Sequence, residues 1–193
     1  MPTTAGELAD ILLLRVRDPD GTAHERSMVL RLLAECQRLV NAETRALLAE
    51  LPVTIDSTNT VVDVQRLMPW ALRIETIRDG IRDLHRCSSW RQLAQADRLW
   101  LRRTGGRVQQ WCHFTPARIL LYPVPVDPTV LTFVYTLRTS DFTLDSDLVQ
   151  LPVNLEPAIL DLAEQVLLMR QRLFLSIPPA AERFPQALAD TSR

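Results

Sequence analysis

The chain has 193 residues, of which 47% are apolar, and its formal net charge is −1. This length suits one compact domain, and this apolar fraction excludes an intrinsically disordered protein. A nearly neutral chain also argues against a protein that binds nucleic acid mainly by neutralising phosphates. The apolar runs are too short for a membrane span and no secretory signal follows Met1, so we expect no membrane anchor and no export.

The cysteines indicate a reducing compartment, and the exclusive use of Arg as the basic residue has two explanations. Cys36, Cys87 and Cys112 form an odd set at irregular spacing, which predicts three buried, reduced thiols. All 22 basic residues are Arg. Either the coding sequence is GC-rich, or the planar, forked guanidinium is favoured at subunit interfaces.

Two helices are predicted before residue 50. The sequence Thr4-Ala5-Gly6-Glu7 has the form of a capping box and begins a short helix at about residues 4–16. Asp18-Pro19-Asp20-Gly21 interrupts it. A second capping-box pattern begins at Thr22 and predicts a longer helix at about residues 23–49, because its apolar residues recur at steps of three and four.

Between about residues 53 and 137 the pattern changes to short strands. Val53–Ile55 and Val61–Val64 flank a polar turn. Asp79-Gly80 is a hairpin signal because both residues tolerate positive φ, and Ile81–Arg86 would be the returning strand. The sequence therefore predicts a β-rich insert between the N-terminal helices and the last helix.

The last helix, predicted at about residues 156–174, has a wide apolar face. One row of apolar side chains steps by four and three residues, as in a packing seam. A second row beside it consists of Leu160, Ala163, Leu167 and Phe174. Two interpretations stay open: a central helix of the monomer's own core, or a helix whose second row contacts a neighbouring subunit.

The sequence contains no set of residues with the spacing of a catalytic or metal site. A zinc set can be assembled from His85 with Cys87 and from Cys112 with His113. Adjacent residues of a strand point to opposite faces, however, so the second pair does not converge on one metal. We therefore predict no catalytic residue, no metal and no cofactor. An enzyme with a dispersed active site remains an alternative.

Tryptophans are concentrated in the β-rich stretch. They either pack in a β core or anchor an interface and stack on bases. Trp70, Trp100 and Trp111 are the interface candidates, because they lie near predicted turns or loop ends.

The order of elements after Arg118 is distinctive. It comprises a strand ending in Pro123 and Pro125, a second strand, a polar loop, Leu151-Pro152 and an apolar helix. With a long helix ending near Asn41-Ala42, this order resembles the head-to-tail adaptor (connector) proteins of tailed bacteriophages. The segments Ile77–Ile81 and Asp97–Trp100 also look like that family, and the likeness extends over about residues 4–175.

The resemblance implies an α+β fold that is mainly α, a small helical bundle with an inserted β-sheet or β-hairpin arm. Residues 1–177 would form a single adaptor domain and residues 178–193 a flexible C-terminal tail. It also implies a structural virion protein of the head–tail neck, made in the host bacterial cytoplasm, that forms a ring, a dodecamer. Its partners would be the portal protein, tail or stopper (nozzle) proteins, further copies of itself, and genomic double-stranded DNA that passes without sequence-specific binding.

The expected subunit and partner contacts are made by apolar residues. They are Trp70, Trp100, Trp111, Leu160, Leu167, Phe174, Phe184 and Leu188. The last two would anchor the tail when it orders on the portal, and the hairpin at Asp79-Gly80 would contribute to ring contacts. The nearest alternative is a neck or tail-completion protein that binds a tail ring; a non-viral α+β regulator is a further one.

Overall fold

Contacts along the chain divide it into two units. The computed structural model describes residues 2–56, 61–100 and 103–176, with backbone alone at 171–176 and at Ala96. Unit 1 is formed by Met1–Val40 together with Ser140–Arg193, and unit 2 by Asn41–Thr139. The predicted tail at 178–193 lies outside the described residues, and the prediction of a single domain over 1–177 stays a prediction.

Helices and strands alternate irregularly along the described residues. The helices are α1 (Ala5–Arg15), α2 (Arg26–Thr44), α3 (Val64–Leu67), α4 (Trp90–Ala96) and α5 (Glu156–Ser176), with a 3-10 turn at Val153–Leu155. The strands are β1 (Leu48–Ile55), β2 (Val61–Asp63), β3 (Ala71–Asp79), β4 (Arg82–Asp83), β5 (His85–Arg86), β6 (Thr104–Gly105), β7 (Gln110–Thr115), β8 (Arg118–Tyr122), β9 (Val124–Pro125) and β10 (Thr129–Leu137).

Unit 1 contains α1, the larger part of α2 and α5. The predicted capping box is present, because Thr4 Oγ1 accepts from the Glu7 amide and the Glu7 carboxylate accepts from the Thr4 amide. α1 packs against α5, and Leu8, Leu12, Ile159 and Leu167 are among the buried residues. The first amides of α1 donate to the carbonyls of Asp145 and Asp147 in the loop before α5, which satisfies the free N–H groups of the helix end.

Two four-stranded sheets form the core of unit 2. One has the order β1-β10-β3-β4, the other β2-β8-β7-β5, and β6 with β9 makes a small third sheet. Residues of both large sheets share one buried cluster, including Ile77 of β3, Phe133 of β10, Trp111 of β7 and Ile119 of β8. The two sheets therefore pack face to face, as in a sandwich.

The α+β class is confirmed, but the structure does not support a mainly α chain or a helical bundle. Nearly as many residues lie in strands as in helices. The β-rich stretch is not an arm on a helical body, because it buries a hydrophobic core of its own between two sheets.

The predicted hairpin at Asp79-Gly80 is present, with Asp79 opposite Arg82 and a φ of +61° at Gly80. The returning strand is shorter than predicted. β4 ends at Asp83, and β5 pairs in parallel with β7 in the other large sheet. The two strands predicted around the polar turn near residue 57 also separate, because β1 pairs with β10 and β2 with β8.

The second helix is shorter at both ends than the predicted 23–49. At its start, the buried Asp18 carboxylate accepts from the amides of Thr22, Ala23 and His24, which holds these residues in a turn. α2 therefore begins at Arg26. At its end, Arg45 adopts a φ of +56°, which terminates the helix at Thr44.

Asn41 explains why the chain turns at this point. Its fully buried side chain donates from Nδ2 to the Leu137 carbonyl (2.7 Å) and accepts at Oδ1 from the Leu47 amide (2.9 Å). Its own carbonyl accepts from the Arg45 amide at 2.8 Å. Asn41 thus ties the end of α2 to the end of β10, next to the point where β1 begins.

We expect Asn41→Ala to lower the free energy of unfolding by about 1–3 kcal/mol, because two half-buried backbone groups lose their hydrogen-bond partner. Urea unfolding followed by far-ultraviolet circular dichroism measures the change. The control is Asn154→Ala, since Asn154 is exposed and its replacement leaves the midpoint unchanged. An Asn41→Ala midpoint equal to that of the control would contradict the assigned role.

Candidate assembly surface

Glu75 fixes the first half of β3. Its nearly buried carboxylate accepts from Thr136 Oγ1 (2.7 Å) and from Arg73 Nε and Nη2 (2.9 and 3.0 Å), and Arg45 Nε lies at 3.1 Å. Burial alone would raise the pKa of Glu75, but the hydrogen bonds from Arg73 and Thr136 and the two positive charges outweigh it and lower the pKa. The strand is therefore held to β10 and to the turn after α2 by charge as well as by backbone pairing.

A groove of about 370 Å³ opens beside this first half of β3. We call it the β3 groove. It is lined by α3 and the turn after it, the first residues of β3, β7 and the β7–β8 turn, and the residue after β10. Its lining residues include Met68, Leu72, Arg73, His113, Pro116 and Arg138. The walls are polar and apolar in similar measure, and none of the lining residues is acidic.

The opposite end of β3 carries the β3–β4 tip, which comprises Asp79–Asp83. Gly80 provides the positive φ that this tight turn requires. Ile81 follows it, and its side chain is fully exposed, at 104% of the reference value. An apolar side chain this far from any neighbour contributes nothing to the core of its own unit.

The three predicted interface tryptophans lie in different environments. Trp70 is 69% exposed, in the turn before β3. Trp100 is 8% exposed and stacks on Trp90, with ring centroids 6.0 Å apart. Trp111 is wholly buried in the core between the sheets. Only Trp70 presents a surface in this structure, since the other two serve the packing of unit 2.

The predicted interface row of α5 faces inward over its described part. Leu160 and Leu167 are buried. Among the side chains of α5 that the structure describes, the large apolar ones that are exposed are Leu168 and Met169. Nothing is described of the Phe174 side chain, and Phe184 and Leu188 lie outside the described residues.

Sequence reasoning missed Ile81, Leu72 and Arg138. The sequence pattern places Ile81 in the returning strand, where every second side chain is covered, but this residue lies in the turn itself. The signal was present, because an apolar residue directly after a turn glycine has no strand neighbour to cover it. Leu72 and Arg138 become parts of one groove only through long-range pairing of β3 and β10, which local patterns do not reveal.

The thiols and imidazoles of the described residues are not grouped as in a metal site. Burial raises the pKa of Cys36 and of Cys112 to about 11, which keeps both protonated and unreactive. The prediction of three buried thiols is wrong for Cys87, which is half-buried and donates from Sγ to Gln110. Within the described ranges, no three His, Cys, Asp or Glu residues are grouped as for a metal.

Comparison with known families assigns the chain. Residues 3–189 match the family described as SU10 adaptor protein. The chain belongs to this family. Membership makes it a bacteriophage adaptor, a structural protein that interacts with other phage head and tail proteins, and supports a structural role over a catalytic one. No curated protein matches the chain. No helix within the described residues has the length and apolar character needed to cross a membrane.

We expect Glu75→Gln to flatten the acid dependence of stability. The folded pKa of Glu75 is lowered from its ordinary value of 4.5, so its contribution is present above that value and is lost as the pH falls through the lower folded value. The melting temperature of the unchanged protein should fall more steeply between about pH 5 and pH 3 than that of the variant.

The control for this measurement is Asp127→Asn, which removes an exposed carboxylate in a loop of unit 2. Its melting temperature should follow that of the unchanged protein over the same range. Parallel curves for Glu75→Gln and the unchanged protein would show that Glu75 does not stabilise the sheet by its charge.

Proposed function

We propose that this adaptor forms a closed ring between the portal and the tail of a tailed phage. In that position it extends the DNA channel and provides the docking platform for tail or stopper proteins. The ring is a dodecamer in the virion neck, assembled from chains made in the host bacterial cytoplasm. Family membership supports the setting, and the surface of unit 2 supports the mode of action.

The observation that carries the proposal is the placement of apolar side chains on unit 2. Ile81 and Trp70 are large, exposed and located in turns, where they do not help their own unit to fold. Exposed apolar residues of this size are typical of contacts with another chain. A ring needs two different patches on each copy, because each subunit contacts one neighbour on either side.

The charge balance is consistent with a channel through which DNA moves. A strongly basic wall would hold the duplex, because each neutralised phosphate releases a counterion and adds affinity. This chain has 22 basic and 23 acidic residues. Within the described residues, seven arginines form ion pairs with carboxylates of their own chain, namely Arg15, Arg26, Arg38, Arg45, Arg73, Arg78 and Arg103. Genomic DNA is then a passing partner without sequence-specific contacts.

Electron microscopy of the purified protein mixed with the portal of its phage tests the proposal. We expect closed rings seated on one face of the portal, and portal alone as the control should lack the added density. A chain that stays monomeric in the mixture would overturn the proposal. Rings that do not bind the portal and bind only a tail ring would overturn the proposal too, and would indicate a tail-completion protein.

We further expect truncation after Ile177 to weaken portal binding about tenfold or more while rings still assemble, because the lost segment carries the apolar anchors Phe184 and Leu188. Binding to immobilised portal measures the change. In the full chain, Phe184→Ala combined with Leu188→Ala should reproduce the loss, and Ala180→Ser with Ala187→Ser should not. Undiminished portal binding by the truncated chain would refute the anchoring role of the tail.

A further inference from the structure

We propose that the β3–β4 tip of one copy inserts Ile81 into the β3 groove of the next copy. This inference rests on the proposed ring, and it names the contact that joins neighbouring subunits within unit 2. The tip supplies a protruding apolar side chain, and the groove supplies an open space of about 370 Å³ with apolar side chains in its wall. Each copy carries both halves of the contact.

The position of the two halves on one strand suits a repeating contact. The β3 groove is lined by the first residues of β3, from Ala71 to Ile74, and the tip begins at its last residue, Asp79. A strand rises about 3.3 Å per residue, so Asp79 lies roughly 17 Å from Ile74 and roughly 26 Å from Ala71 along β3. A patch at one end that fits a different patch at the other end gives a heterologous contact, which propagates from copy to copy and closes a ring when the rotation permits.

The apolar surfaces match in kind. Met68, Leu72 and Pro116 line the groove, and the exposed part of Leu72 forms its rim. Trp70 lies in the turn directly before β3, exposed beside the lining residues Pro69 and Ala71. A branched aliphatic side chain that enters this groove loses its entire exposed surface, as the central anchors of interfaces do.

The charges also complement each other. Arg73 and Arg138 line the groove without any acidic residue, and Arg73 is already paired with Glu75. Arg138 has no ion-pair partner among the residues that the structure describes. On the tip, Asp83 is paired with Arg78, while Asp79 has no ion pair within the described ranges. The contact therefore brings the unpaired carboxylate of Asp79 towards the unpaired guanidinium of Arg138.

Arg82 is the one tip charge for which the groove has no partner. It lies opposite Asp79 across the hairpin and is exposed. Because a long guanidinium side chain reaches solvent easily, it stays hydrated in the contact. Arg82 thus provides a matched control: Arg82→Gln changes the charge of the tip and leaves both Ile81 and Asp79 in place.

A mixing experiment tests the contact. The tip variant Ile81→Asp keeps an intact groove, and the groove variant Leu72→Arg keeps an intact tip. Alone, each variant should self-associate at least about 30-fold more weakly than the unchanged protein, which is the loss expected from a central anchor. Sedimentation velocity measures this self-association. Mixed in equal amounts, they should form heterodimers that grow no further, because one tip and one groove remain usable. Val126→Asp, which alters an exposed loop residue, and Arg82→Gln should both assemble normally.

Charge exchange provides a second measurement that does not depend on the apolar variants folding. Asp79→Arg and Arg138→Asp should each weaken ring formation, and the double variant should restore it. Circular dichroism melting of each protein monitors the fold. A double variant that assembles no better than the single ones would overturn the pairing of Asp79 with Arg138.

The outcomes separate this inference from the proposed function. If Ile81→Asp forms normal rings on the portal, the inference is wrong and the proposed function stands. If it forms normal rings but no longer binds the portal, the tip contacts the portal instead of the next copy, and the inference is again wrong. If the unchanged protein forms no ring with the portal at all, the proposed function fails and the inference fails with it.

Discussion

The architecture of unit 2 depends on the two hydrogen bonds of the Asn41 side-chain amide. An amide can donate and accept at once, and Asn41 uses both groups, towards Leu137 at the end of β10 and Leu47 just before β1. The turn after α2 and the pairing of β1 with β10 are thereby fixed together. β10 is bonded to β1 on one side and to β3 on the other, so one buried side chain sets the starting point of the sheet that carries both the groove and the tip.

The second constraint is the charge placed inside the same sheet. A nearly buried carboxylate costs desolvation free energy, and at Glu75 this cost is offset because a forked guanidinium from Arg73 and the hydroxyl of Thr136 satisfy its oxygens. In unit 1, the Nε of Arg26 contacts both oxygens of Asp145. The other two nitrogens of Arg26 donate to Asp10 and to the Gly6 carbonyl. A compact ammonium reproduces neither this spread of donors nor the two-donor fork of Arg73 on Glu75. The exclusive use of Arg is therefore consistent with intrachain fork geometry as well as with a GC-rich gene.

Local features were predictable from the sequence, and long-range ones were not. The capping box at Thr4, the turn at Asp79-Gly80 and the start of α5 near Pro157 depend on residues a few positions apart, and the structure has all three. The sheets depend on β1 meeting β10 across some eighty residues, which no periodicity encodes. The end of α2 is hidden from local patterns for the same reason, since the turn at Arg45 that terminates the helix is held by Asn41 through a partner on β10. Among the predicted interface tryptophans, Trp70 lies in a turn and is exposed, whereas Trp111 lies within β7 and is wholly covered. The interface role of Trp70 stays a prediction.

A ring also constrains the element that joins its copies, because any angular error repeats at every contact. A dodecamer needs a rotation of about 30° per copy, and an error of a few degrees repeated twelve times prevents closure. Loops on separate elements would let the angle between the two contact patches vary. β3 avoids this, since its residues are bonded to β10 along most of its length and its first half is held by Glu75. A strand held by these bonds keeps the tip and the groove at a constant angle. A closed assembly of identical copies requires this property.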